Sequence, residues 1–459
     1  MFTFQTYVRR RDELRHLLQG GIVLLPGNRE SAANYTSNAY HFRQDSTFLY
    51  YFGLNLPDLA GVIDLDSGED VLYGDDFTVD DIIWMGPQPT IAELGSWAGV
   101  KKTAPSAALQ GVVQTALTQG RKIHVLPPYR GETELLLQSL LGRKPEVSVE
   151  LIRAVVSMRD KKSPEEIAQI EEACETGYRM HTAAMRMCRP GVVEREIAGA
   201  IEGIAMQYGW GVSFLSIVSQ HGETLHNHCY DGVLEPGRLL LVDAGAEAVS
   251  NYCSDNTRTM PVSGRFNRQQ REVYDIVLAA HDRAFEVARP GIPYRDVHLE
   301  AARVIIEGLK SLGLVKGSTD EAVAAGAHAL FMPHGLGHLM GLDVHDMENL
   351  GEQYVGYDAE IVRSTELATK ACRMGRRLET GMVVTVEPGI YFIPAYIDKW
   401  REEGICKDFI AFDRLAAYES FGGIRLEDDL LVTSDGSRML GDRRIPITPE
   451  EVEEYMQRD

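Results

Sequence analysis

Phe331-Met332-Pro333-His334-Gly335-Leu336-Gly337-His338-Leu339-Met340-Gly341-Leu342-Asp343-Val344-His345-Asp346 sets three histidines and two aspartates in an apolar run punctuated by glycine. Imidazoles are the usual metal ligands and proton carriers near neutral pH. Small residues between them let backbone and ligand approach closely. Four acids, each interrupting an apolar strand-like segment, flank this run, two before it and two after, and they give it meaning.

Leu239-Leu240-Leu241-Val242-Asp243 reads as a buried strand ending on a carboxylate, and Asp255 follows 12 residues later in Ser254-Asp255-Asn256-Thr257-Arg258-Thr259. The residues between turn a hairpin, with its tip near Val249-Ser250-Asn251, that brings both aspartates to one end of a sheet. Val383-Val384-Thr385-Val386-Glu387-Pro388-Gly389-Ile390-Tyr391 is a second strand ending on an acid, and Gly423-Ile424-Arg425-Leu426-Glu427 a third. A buried carboxylate must be paired, protonated or bound to a metal. Asp243, Asp255, Glu387 and Glu427 together balance two divalent cations, and His338 adds a neutral nitrogen. An oxygen-dominated set of five suits manganese or cobalt better than a thiolate-seeking metal. Two such ions roughly 3.5–4 Å apart generate a hydroxide and clamp a tetrahedral intermediate, which is hydrolytic chemistry.

Singly, each residue has a plainer reading. A strand-terminal Asp serves more often as a turn or cap residue, Arg425 can pair with Glu427 or a cross-strand neighbour, and His334 and His345 can be structural. His228 and Cys229, beside His226, lack a second pair of ligands, and structural roles suit them better. Five ligand-capable positions after four strands and one histidine run outweigh these readings.

The chain has 459 residues, 44% hydrophobic and 25% charged, enough for two or more domains. A formal charge of -21 argues against nucleic-acid or anionic-membrane partners. Six cysteines without a CxxC pair fit a reduced cytoplasm. The N-terminal stretch MFTFQTYVRRRDELRHLL lacks the apolar core of a signal peptide. No apolar run reaches the roughly 18 residues that span a membrane.

Before about residue 155 the pattern is α/β. Tyr7 to Leu18 has helical spacing; Gly21–Gly27, Phe48–Gly53, Gly61–Leu65, Val71–Gly74 and Lys122–Leu126 read as strands. Phe42-Arg43-Gln44-Asp45-Ser46-Thr47-Phe48 lines a pocket or caps a strand. Ser163-Pro164-Glu165-Glu166 is a capping box opening a helix to about Met187. Arg189-Pro190-Gly191 and, one hundred residues on, Arg289-Pro290-Gly291 each sit between helices and ahead of strand-rich sequence. The match predicts two similar helix-pair-plus-sheet halves about a pseudo-twofold, with the site between them.

These residues resemble the proline-specific peptidases of the pita-bread metallohydrolase fold, aminopeptidase P and prolidase. FRQDSTF, VDAGAE, SDNTRTMP, MPHGLGHLMGLDVHD, TVEPGIY and GIRLEDD carry the resemblance, which covers nearly the whole chain. It implies an aminopeptidase P-type α/β domain over residues 1–155 and an α+β pita-bread catalytic domain with an internal repeat over 156–459. It implies two divalent ions, usually Mn2+ with Co2+ or Zn2+ as alternatives, on Asp243, Asp255, His338, Glu387 and Glu427. Glu387 doubles as proton shuttle, His226 and His345 bind substrate and steady the tetrahedral intermediate, and Arg425 stands near the site. His334 is a further substrate-binding position. Arg373 falls where prolidases hold a dipeptide carboxylate, or is an exposed loop arginine. The implied substrates are small peptides with proline second, cut by an Xaa-Pro aminopeptidase or, alternatively, an Xaa-Pro dipeptidase. An Xaa-Pro bond has no N–H and a fixed φ, so it asks for a shaped proline pocket, with the N-terminal domain, in a homo-oligomeric dimer or tetramer, as the wall against longer extensions.

Two stretches depart from the bacterial pattern, Phe392–Phe421 and Gly317–Ala327, and look more like eukaryotic prolidase; the Asp243–Asp255 hairpin is also one residue longer than the family's spacing. A decayed binding module should have lost ligands, and creatinase-type enzymes lack the acidic set. Methionine aminopeptidases lack the large N-terminal domain, and HGLGHLMG does not follow the Rossmann phosphate-binding rule.

Overall fold

The structure is a computed structural model and describes residues 2–457. The described residues form two compact units, one of residues up to Arg159 together with 349–354, the other of 160–348 with 355–457.

The first unit is built on a five-stranded sheet in the order Lys102–Ala104, Asp70–Tyr73, Ala60–Asp64, Ile22–Pro26, Ile123–His124. Its outer pairs are parallel and the two central pairs antiparallel. The expected strand at Phe48–Gly53 is instead a helix, Ser46–Phe52. Every residue in it is buried, so no periodicity marks its type. Its ends decide: the Asp45 side chain accepts from the Phe48 amide, and Gly53 closes it at φ 69°. The polar phrase before it is a brace: buried Gln44 accepts from the Asn28 and Asp45 amides and donates to the Leu56 carbonyl.

The second unit contains the predicted repeat. Helices Pro164–Met187 and Glu194–Tyr208 form one antiparallel pair, Arg268–Val287 and Tyr294–Ser311 the other. The first helix of each pair opens with a capping box, Ser163 with Glu166 and Asn267 with Gln270. The Arg-Pro-Gly turns repeat in their bonding too. The Gly191 amide donates to the Leu234 carbonyl, and the Leu234 amide to Val192; Gly291 and Ile292 do the same with Leu378. Both glycines need the left-handed region, at φ 87° and 86°. The two leucines open matching sequence, LEPGRLLLVD over 234–243 and LETGMVVTVE over 378–387, a repeat that the Arg-Pro-Gly signal alone does not show. Each phrase turns at a positive-φ glycine, Gly237 or Gly381, and runs into a strand whose last or next residue is an acid.

Candidate metal centre

Two antiparallel ladders carry the acids. In the first, Leu239–Asp243 pairs with Thr257–Pro261 and the last rung is Asp243 opposite Thr257. In the second, Val383–Val386 pairs with Asp428–Val432 and the last rung is Val386 opposite Asp428. The strands then part into separate small sheets, Ala246–Ala248 on Gly209–Val212 and Gly389–Tyr391 on Gly423–Arg425. Glu387 and Glu427 therefore sit in breaks between strands rather than at strand ends. A Cβ on Gly245 would stand 1.8 Å from the Ser254 carbonyl, which shows how tightly the arms bearing Asp243 and Asp255 are pressed together. The loop beyond tips at Val249–Asn251, with Asn251 at φ 69°.

The ladders join at a rung between Thr257 and Glu427, whose backbones exchange two bonds of 3.3 and 3.0 Å. The Thr257 hydroxyl also donates to Glu427 Oε2 at 2.6 Å. The histidine run is stitched to the second ladder by Leu339 opposite Val384 and by the Thr385 amide on the His338 carbonyl. Gly337 is required there, because a Cβ would lie 2.1 Å from the Thr385 carbonyl. His338 Nδ1 donates to the Leu339 carbonyl at 3.0 Å, which leaves Nε2 as the free donor atom. Nε2 stands 3.4 Å from Asp255 Oδ2 and 3.9 Å from Glu387 Oε1.

Asp255, His338 and Glu427 each offer one ligand atom, and the three atoms lie within 4.8 Å of one another. Asp243 and Glu387 line the same cavity of about 530 Å³. The Asp243 carboxylate pairs with Arg425 through Oδ2, while its Oδ1, like that of Asp255, is buried without a hydrogen-bond partner. Burial, reinforced by the neighbouring acids, pushes the Asp255 and Glu427 carboxyls well above the carboxylate range; burial also raises Glu387. Acids so placed carry their charges together only with cations between them. Unsatisfied inward-facing oxygens, an open imidazole nitrogen and no thiolate are a donor set that fits hard or borderline divalent metal.

Arg425 is buried, donating to Asp243, to the Tyr391 hydroxyl at 2.8 Å and to the Thr257 hydroxyl at 3.1 Å. Of the plainer reading, a bond to Glu427 is not among these, while Tyr391 is a neighbour on the paired strand. His334 shares Tyr391 through Nε2 at 3.0 Å, and its Nδ1 lies 3.7 Å from Glu387 Oε2. Burial pushes the His334 imidazole down to about 4, so it is neutral at working pH. The His345 ring packs on His338 with centroids 3.9 Å apart, and its Nδ1 meets Glu348. Arg373 pairs with the same Glu348. His226, His345, Arg373 and Arg425 all line the cavity.

His228 lines the cavity as well and is exposed, against its structural reading; Cys229 is exposed and meets Asp231, outside the lining. Three residues escaped the sequence pattern. Tyr391 stands inside TVEPGIY, where it reads as strand filler. Glu348 lies three residues after His345, a spacing that points to a local pair. Asp429 accepts from the Asp255 amide at 3.1 Å, and burial pushes its carboxyl up to about 8; it looks in sequence like one more acid of the Glu427-Asp428-Asp429 run. The insertion forms the helix Pro394–Glu403 and then returns along residues 314–325, where Phe409, Ala411 and Cys406 bond to Lys316, Leu314 and Ala325. The two stretches that depart from the bacterial pattern thus pack on each other.

Paired ladders that present four carboxylates and an imidazole to one cavity define a metal-dependent hydrolase. Residues 168–434 match metallopeptidase family M24, and residues 7–126 match the N-terminal domain of aminopeptidase P. The chain belongs to this family, in its aminopeptidase P/prolidase group, and has its two-domain organisation with the pita-bread catalytic half. It is a metallo-exopeptidase. The Xaa-Pro aminopeptidase of Escherichia coli is 32% identical, over 98% of this chain and 97% of the relative. A human Xaa-Pro dipeptidase is 31% identical, over 95% and 89%. Zinc-substituted aminopeptidase P from E. coli, in complex with product, superposes with a TM-score of 0.81 at 30% identity, covering 99% of this chain and 98% of that one.

Proposed function

We propose that this protein is an Xaa-Pro aminopeptidase that removes the N-terminal residue before proline from small peptides, using two divalent ions, with Mn2+ as the working metal and Co2+ or Zn2+ as substitutes. The observation that carries this reading is the cluster of Asp255, His338 and Glu427 in the cavity that Asp243 and Glu387 also line. These five residues would hold the metals, and ions bound there would supply a lowered pKa for water and polarisation of the scissile carbonyl.

The protein's own groups do the rest. Glu387 receives the proton of the attacking water and passes it to the proline nitrogen as the bond breaks, a role that its place in the cavity beside His334 and His338 suits. That nitrogen is tertiary in the substrate and cannot leave without the proton. His226 and His345 hydrogen-bond the substrate and the developing tetrahedral oxygen. Neutral His334, fixed by Tyr391, presents an apolar imidazole face to the proline ring. Arg425 holds Asp243 in its orientation.

A second reading, an Xaa-Pro dipeptidase, is favoured by Arg373 at the cavity wall and by the resemblance to the human dipeptidase. The domain proposal, 1–155 and 156–459, sets its boundary four residues before the division after Arg159. Six cysteines with no CxxC pair support a cytoplasmic home. No helix among the described residues is long and apolar enough to cross a membrane. Exposed Phe77 and Val79 and the exposed apolar run Ile82-Ile83-Trp84-Met85 support a homo-oligomer, dimer or tetramer.

Hydrolysis of Ala-Pro and Ala-Pro-Ala with added Mn2+ tests the reading. Turnover of the tripeptide is expected; turnover of the dipeptide alone establishes the dipeptidase, and turnover of neither by metal-loaded protein rejects both.

A further inference from the structure

Glu348 opens a short 3-10 turn, Glu348–Leu350, just beyond the histidine run. Its one carboxylate serves two groups of the cavity wall: Oε2 meets His345 Nδ1 and Oε1 meets Arg373 Nη1. A guanidinium on the wall of a peptide cavity is the natural partner of a substrate carboxylate. Both arginines that line this cavity already have an acid: Arg425 is held by Asp243 and Arg373 by Glu348. The two pairs differ in depth. The Arg425–Asp243 side chains are 5% and 11% exposed, whereas Arg373 and Glu348 are 40% and 36% exposed. The outer pair is therefore wet enough for an incoming carboxylate to compete with Glu348, and the competition has a cost.

We propose that Glu348 is a specificity-determining residue: by occupying Arg373 it disfavours peptides whose free carboxylate falls beside that guanidinium, above all the Xaa-Pro dipeptide. The inference rests on the proline-directed exopeptidase reading above. The same carboxylate positions His345, fixing the proton on Nδ1 and turning Nε2 away from Glu348. The effect on selectivity is that of a half-exposed ion pair, about fivefold.

The test compares kcat/KM for Ala-Pro with that for Ala-Pro amide, which lacks the carboxylate, in the manganese-loaded enzyme. Glu348→Gln keeps the side-chain shape and frees the guanidinium. It is expected to raise the acid-to-amide ratio about fivefold through KM, and Arg373→Gln in the same background to erase the gain. A purely structural role moves both substrates alike, so an unchanged ratio overturns the proposal. If Glu348→Gln does not fold, Glu348→Asp draws the carboxylate back from both partners and is read by the same ratio. Failure of the wild-type enzyme to cleave any of these peptides or Ala-Pro-Ala overturns the underlying reading instead. Wild-type turnover with an insensitive ratio overturns only the role of Glu348.

Discussion

Replacing Arg258 by Met should unfold the metal-bearing unit far more readily than its distance from substrate suggests. Arg258 is fully buried and grips Asp428 with Nη2 at 2.8 and 3.0 Å. It also donates to the carbonyls of Thr257, Glu427, Ile445 and Pro446. Methionine fills much of the same volume, so the loss is electrostatic. Asp428 would keep two polar partners here, His281 Nε2 at 3.2 Å and the Asn256 amide at 3.4 Å, and the Thr257 and Glu427 carbonyls would keep their mutual backbone bonds. Removing one member of a buried pair costs about 3–5 kcal/mol. The remaining partners place Arg258→Met near the lower end, about 3 kcal/mol, a large share of the roughly 5–15 kcal/mol that holds a domain. Guanidinium unfolding in chelator removes the contribution of bound metal to the comparison. The double variant Arg258→Met/Asp428→Asn removes the stranded charge, so it should recover at least about 1 kcal/mol relative to the single. A loss below about 1 kcal/mol for Arg258→Met, or strict additivity in the double, refutes the reasoning.

Glu387→Gln should lower kcat by about 10²- to 10⁴-fold in folded protein, with bound metal measured alongside; near-native turnover removes Glu387 from proton transfer. Acid should destabilise the second unit through His298 and His328, which burial pushes down from 6.5 to about 3 and about 4. Below pH 6.5 the unfolded chain takes up protons that the folded one refuses, so stability falls with pH by about 1.4 kcal/mol per unit for each histidine. The slope of unfolding midpoints between pH 6.5 and 5 should shrink in His298→Asn, and an unchanged slope contradicts the assignment.

The catalytic half was legible because its signals are local. A capping box, a strand ending in Asp243 and a glycine-spaced histidine run keep their meaning wherever the chain packs. The helix Ser46–Phe52 was not legible, since a fully buried run shows the same apolar face in strand and helix, and only Asp45 and Gly53 distinguish them. The partners of the site residues were equally hidden. Arg425 chose Asp243 over Glu427, and Arg373 chose Glu348, through contacts between segments 182 and 25 residues apart that no spacing rule reaches. The matched phrases 234–243 and 378–387 are legible in the sequence and make Asp243 and Glu387 counterparts.

The most direct test is metal content set against activity: manganese dialysed into chelator-stripped protein, with ions per chain and Ala-Pro-Ala turnover measured at each step. Two ions per chain, with turnover appearing only as they bind and binding reduced in Asp255→Asn, is the predicted result. Full turnover by metal-free protein, or wild-type binding by the Asp255 variant, would contradict the account.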